Sequence, residues 1–215
     1  VEALVRWDHP ELGMLQPKDF IQLAEVCGVL DQLTRTVTER SLLDVSAFDS
    51  RPDLSVTINL SNRLIQDRDF SAWVARLLAE TGFTPQLLRF ELNERHLTHS
   101  PDRTQKVLQE LHDLGIGIGV DNFGIGCASL DFVYQLPIDE LSMQTEFVSA
   151  IDNGDETLAK ALIDLGHTLG VKVSAKGVES AETLETLRSL GCDSAQGFCI
   201  SPPLPIEGLA QYLLG

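Results

Sequence analysis

The side chains with chemical reach in this chain fall where short apolar runs end. They are Glu2, Asn59, Glu91, Asp121, Ser142 with Gln144, Lys176 with Glu179, and Gln196. Taken singly, each is explained as a helix cap or a surface residue. Polar groups at the ends of all these runs point instead to a common rim, which in parallel α/β folds is where chemistry is placed. Glu2, Glu91 and Asp121, with the amide oxygen of Asn59, make an all-oxygen donor set suited to a hard cation such as Mg²⁺, Mn²⁺ or Ca²⁺. Without an ion, three converging carboxylates repel one another until at least one takes up a proton.

Lys176, in "VSAKGVES", sits where an apolar run meets a glycine. A lysine late in a barrel can form a Schiff base, but that needs a pKa lowered by an apolar pocket or a second cation. Glu2, Glu91, Asp121 and Glu179 as neighbours would raise it, so the residue reads better as a point-charge contact for a phosphate. His96 and His99 are three apart with no partner cysteines, and His9, His112 and His167 are isolated; these read as loop, cap or surface residues. Phe123, Phe132 and Phe147 fit core packing better than base stacking.

The elements that must hold this rim are legible as a repeat. Strands are expected near 1–5, 54–60, 87–92, 116–121, 138–142, 171–175 and 192–196. Helices are expected over 18–29, 31–46, 67–81, 103–114, 155–169, 181–190 and 206–214. "TGFTP", "DLGIG", "TLGVK" and "SLGCD" each place a glycine between a helix and the next strand, where a left-handed residue ends the helix. Repeated βα units of this kind indicate an α/β fold with a parallel sheet, and a TIM-like (β/α)8 barrel one strand short. A first strand preceding Val1 is therefore expected. The open doubly wound alternative lacks its glycine-rich phosphate loop after the first strand, since "GIGIGV" lies within a strand.

Composition narrows the function classes. The 215 residues, 43% hydrophobic, suffice for one domain over 1–215. Sixteen basic against 32 acidic residues give a net charge of −16, which repels nucleic-acid polymers and anionic membranes. Cys27, Cys127, Cys192 and Cys199 form no C-x-x-C pair, which fits reduced thiols in the cytoplasm. Neither a signal peptide nor an apolar run of membrane-spanning length is visible, so no membrane contact is expected of this segment.

"EAL" at 2–4 followed by Arg6, "INLS" at 58–61, "FELNE" at 90–94, "VDNFGIG" at 120–126, "AKGVE" at 175–179 and "QGF" at 196–198 stand in one order along essentially the whole chain. In these motifs the sequence resembles the EAL domain family. The resemblance implies a barrel whose first strand carries a Gln-Pro-Ile-like motif, and a hydrolase that opens cyclic di-GMP to a linear dinucleotide with two Mg²⁺ or Mn²⁺ ions. It implies Glu2, Asn59, Glu91 and Asp121 as ligands of the first ion, and Glu2, Leu4, Arg6, Asn59, Asp121, Glu179 and Gln196 as nucleotide-binding positions, Arg6 contacting a phosphate; Lys176 joins them as the point-charge contact read above. It further implies that Glu94 anchors the loop opening "NFGIGCASLDFVYQL" (122–136), that this segment forms a homodimer surface, and that a GGDEF or sensory domain precedes it.

The departures from the family pattern fall on the catalytic positions. Asn122 stands where the family has the second of two aspartates, Ser142 and Gln144 where it has Lys-x-Asp, and Lys176 where it has the first Glu of Glu-Gly-Val-Glu. An amide brings no charge to desolvate a strongly hydrated cation, and an ammonium repels it. The second ion should not bind, and no catalytic residue is expected to function. Three acids lost, one lysine gained and another lost shift the site by about three charge units toward positive, which favours a phosphodiester. The expected function is a degenerate EAL domain that binds cyclic di-GMP without hydrolysis and requires no cofactor, with one Mg²⁺ or Mn²⁺ at the surviving site at most. Two alternatives stay open: an interaction module that has lost the nucleotide, and a weak residual phosphodiesterase.

Overall fold

A computed structural model of the chain describes residues 1–48, 53–97, 101–124 and 130–214. It comprises two compact units, Val1–Glu91 with Glu110–Gly117, and Leu92–Gln109 with Ile118–Gly215.

In the first unit the apolar run opening the chain makes one parallel bridge, Glu2 to Thr57, where a strand over 1–5 was expected. Beyond Ala3 the chain turns instead into a hairpin, β1 (Trp7–His9) against β2 (Gly13–Leu15). His9 Nδ1 closes its turn by accepting the Glu11 and Leu12 amides, each at 3.2 Å. Helix α1 (Pro17–Val26) starts at a proline, and the Gln16 amide donates to Asp19 Oδ2 at 2.8 Å. Helix α2 (Leu30–Ser46), strand β3 (Val56–Asn59), the short α3 (Asn62–Gln66) and α4 (Phe70–Thr81) follow. Ser61 Oγ caps α3 by accepting the Leu64 amide. Strand β4 (Leu88–Asn93) begins in this unit, whose core is built on Leu42, Ile58, Leu64, Ile65, Phe70 and Phe90.

The second unit takes up the end of β4 and continues with α5 (Pro101–Asp113) as far as Gln109, β5 (Gly117–Phe123) from Ile118, α6 (Leu130–Tyr134), β6 (Glu140–Met143) and α7 (Thr145–Asp152). It closes with α8 (Thr157–Leu169), β7 (Lys172–Lys176), α9 (Ala181–Ser189), β8 (Ser194–Gln196) and α10 (Ile206–Leu214). Leu108, Ile118, Val120, Leu141, Val173 and Ala175 are fully buried here.

Strands β3 to β8 lie in a six-stranded sheet in sequence order, and the pairs β3/β4, β5/β6, β6/β7 and β7/β8 are parallel. Strand order that follows chain order, with a helix between successive strands, is the parallel α/β architecture expected. The helix-ending glycines behave as the repeat implied: Gly82 and Gly170 cap α4 and α8 with φ of 67° and 77°. Among the described residues no helix is long and apolar enough to cross a membrane.

Candidate functional site

The first unit carries three of the expected oxygen donors. The bridge at Thr57 sets Glu2 beside the end of β3, and Asn59 Nδ2 donates to Glu2 Oε1 at 2.7 Å. In the parallel register Asn59 lies level with Glu91, whose backbone oxygen accepts the Leu60 amide. Glu91 is only 2% exposed, so its carboxylate is an acidic group held well inside the unit. Leu4 and Arg6 are exposed on the segment leading to the hairpin, and Arg6 Nη1 donates to the Val5 carbonyl at 2.8 Å.

In the second unit, β5 and β6 slip register between Val120 and Phe123: Val120 lies opposite Leu141, and Phe123 opposite Met143. Asp121 and Asn122 therefore face the single residue Ser142, a β-bulge, the kind of irregularity by which strands re-aim side chains. Asn122 takes φ of 56°, a left-handed conformation that Asn tolerates better than most residues. The result is that adjacent side chains, which a regular strand would send to opposite faces, meet: Asn122 Nδ2 donates to Asp121 Oδ2 at 2.7 Å.

The other oxygen of Asp121 faces a cation. Lys176, the last residue of β7, places Nζ 3.2 Å from Asp121 Oδ1, and the two side chains are 21% and 20% exposed. Lys176 is level with Gln196 of β8. Beyond Gln196, the β8 backbone closes on the loop after β7: the Val178 amide donates to the Gln196 carbonyl at 3.0 Å and the Cys199 amide to the Val178 carbonyl at 3.1 Å. A Cβ on Gly197 would lie 2.1 Å from the Val178 oxygen, so only glycine fits there.

Ser142 is fully buried, with Oγ 2.7 Å from Ser174 Oγ, so it sits within the sheet and not on the surface of a rim. Gln144 is half-buried at the start of α7, and Glu179 and Gln196 are exposed. Glu94, 1% exposed, accepts the Gly124 amide on Oε2 at 3.1 Å and so holds the residue that follows β5. The rest of that loop, residues 125–129 with Cys127, lies outside the described residues, as do His99 and the side chains of His96 and Phe132.

A profile of the EAL domain matches residues 1–203. The chain belongs to the EAL domain family. Among curated relatives, the uncharacterised protein Rv1357c of Mycobacterium tuberculosis is 37% identical over 215 residues, covering 96% of this chain and 70% of that protein. The cyclic di-GMP phosphodiesterase NbdA of Pseudomonas aeruginosa is 34% identical over 217 residues, covering 99% of this chain but only 28% of NbdA. The structure of the PaMucR phosphodiesterase in complex with c-di-GMP superposes with a TM-score of 0.90 at 32% identity, over 97% of this chain and 86% of that one.

The metal chemistry implied by the EAL family fits this chain unevenly. Glu2, Asn59 and Glu91 are oxygen donors of the class a hard cation takes. Asp121 is different, because an ammonium and an amide N–H occupy its two oxygens. Asn122 and Lys176 supply a neutral amide and a positive charge at the positions where the resemblance implies acids, a pair that does not fit a second divalent ion. Among the described residues, no three His, Cys, Asp or Glu side chains are gathered as a metal site. Sequence reasoning passed over Ser174, which satisfies Ser142, and Gly197, whose only trace was its place in "QGF".

Proposed function

We propose that this EAL domain binds cyclic di-GMP as a signalling receptor and leaves it intact. The observation that carries the reading is the 3.2 Å contact between Lys176 Nζ and Asp121 Oδ1. Two-metal hydrolysis makes its hydroxide and clamps the attacked phosphate with two cations, and the positions that the resemblance gives to the second of them carry no acid in this sequence. Asn122 offers an amide, Ser142 is buried against Ser174, and Gln144 is uncharged. The same changes suit an anionic ligand, since they remove negative charge and add an ammonium.

The nucleotide itself is supported by the relatives, NbdA by its activity and PaMucR by its bound ligand. Glu2, Leu4, Arg6, Asn59, Asp121, Lys176, Glu179 and Gln196 are the positions assigned to it, with no metal required. Occupancy passes through the loop after β5, which Glu94 holds at Gly124, to a homodimer partner. We place the domain in the cytoplasm, as a single functional domain downstream of a GGDEF or sensory module.

Arg6→Ala tests the reading. The exposed guanidinium is assigned to a phosphate, and a charge-assisted hydrogen bond contributes about 1.5–3 kcal/mol. Calorimetric titration of cyclic di-GMP should show affinity weakened roughly 10- to 150-fold. Unchanged affinity contradicts the assignment.

A further inference from the structure

We infer that Lys176 is a tethered cation that stands in for a divalent metal at Asp121, making Asp121 a positioning group for an ammonium and no longer a metal ligand. This goes beyond the loss of the second ion: Asp121 belongs by resemblance to the first. The inference rests on the proposed receptor reading only for its consequence, a nucleotide site indifferent to chelators.

Three observations carry it. Lys176 is the final residue of β7, a strand paired on one side with β6 and on the other with β8, so its Cα is fixed and its ammonium is delivered to one place. That place is 3.2 Å from Asp121 Oδ1, with both side chains about four-fifths shielded from water. On the other oxygen, the left-handed backbone of Asn122 in the β5 bulge brings its amide to 2.7 Å from Oδ2. Asp121 is thus bracketed by two N–H donors, one of them charged. A divalent ion arriving there would have to displace both and would meet the ammonium at close range in a shielded setting, where repulsion between like charges is strong. The carboxylate and ammonium together sum to zero charge, which leaves nothing to offset dehydration of a hard cation.

The test uses the full chain and Mn²⁺ alone, with free ion followed by electron paramagnetic resonance and no nucleotide present. Wild type and Asp121→Asn should show the same Mn²⁺ uptake, because Asp121 is not a ligand. Lys176→Glu, which replaces the ammonium with a carboxylate, should bind Mn²⁺ at least about tenfold more tightly than wild type. That gain should vanish in Lys176→Glu combined with Asp121→Asn. Lys176→Met, which removes the charge without adding an acid, should gain affinity by a smaller factor and serves if the Glu variant does not fold. Mn²⁺ uptake by wild type that Asp121→Asn abolishes would overturn the inference. So would Lys176 variants that gain nothing. Absence of cyclic di-GMP binding alongside the expected Mn²⁺ pattern would sink the receptor reading and leave this one standing.

Discussion

Gly197→Ala should separate the two backbone segments that close the second unit beside Lys176. In the structure an added Cβ would lie 2.1 Å from the Val178 oxygen and 2.3 Å from its nitrogen, with no flexible side chain to give way. The Gln196 and Val178 segments are joined by hydrogen bonds of 3.0 Å, from Val178 N to Gln196 O, and 3.1 Å, from Cys199 N to Val178 O. Relieving the clash means opening one or both. Each backbone bond contributes about 1 kcal/mol net, and forced overpacking costs about 1–3 kcal/mol, so the total is about 2–5 kcal/mol. For a chain of this size each kcal/mol moves the melting midpoint by about 2–4 °C, giving a fall of about 4–20 °C. Circular dichroism against temperature measures it. Because Gln196 is level with Lys176 in the β7/β8 register, affinity for cyclic di-GMP should fall too. A midpoint unchanged within about 2 °C would refute the reasoning, since the close approach would then have a soft way out.

Other substitutions probe the supports of the site. Glu94→Ala removes the buried acceptor of the Gly124 amide and should cost about 1–3 kcal/mol, with faster amide exchange at Gly124; Glu94→Gln, which keeps an oxygen, should cost less, and equal effects would contradict the hydrogen-bond account. Asp193 is subject first to burial, which raises its pKa, but the Val173 amide and then His167 and Lys172 outweigh burial and hold it below its ordinary value of 3.8. A carboxylate lowered in the folded state stabilises above its unfolded pKa and loses that contribution as pH falls through the folded value. Asp193→Asn should therefore be less stable than wild type by urea unfolding at about pH 7, with the gap narrowing as pH falls below 3.8; a constant gap would mean that charge is not the cause.

Much of this architecture was legible because alternation of period speaks plainly. Six of the seven expected strands are present in the sheet, since runs such as "SVTINL" and "VKVSAK" bury Val, Ile and Ala on strands flanked by turn residues. The hairpin was not legible: each arm is three residues long, and Trp7 and Met14 are exposed, so no apolar face announces it. Helix α7 begins directly after Gln144, at the end of β6, without the side-chain cap that marks a helix start. At the site, the residue types were readable, including the proximity of Lys176 to Asp121. The bulge was not, because two residues facing one is a matter of register between strands, and Asn122 is its only local trace. For the same reason Ser142 reads from sequence as a strand-end polar group, while the register that aligns it with Ser174 buries it.

Calorimetric titration of cyclic di-GMP into the purified domain with EDTA, then with excess Mg²⁺, followed by chromatography of the recovered nucleotide, separates a receptor from a hydrolase. A metal-independent receptor gives saturable binding of equal affinity in both conditions and intact cyclic nucleotide at the end. Linear dinucleotide, or binding that appears only with Mg²⁺, would contradict it.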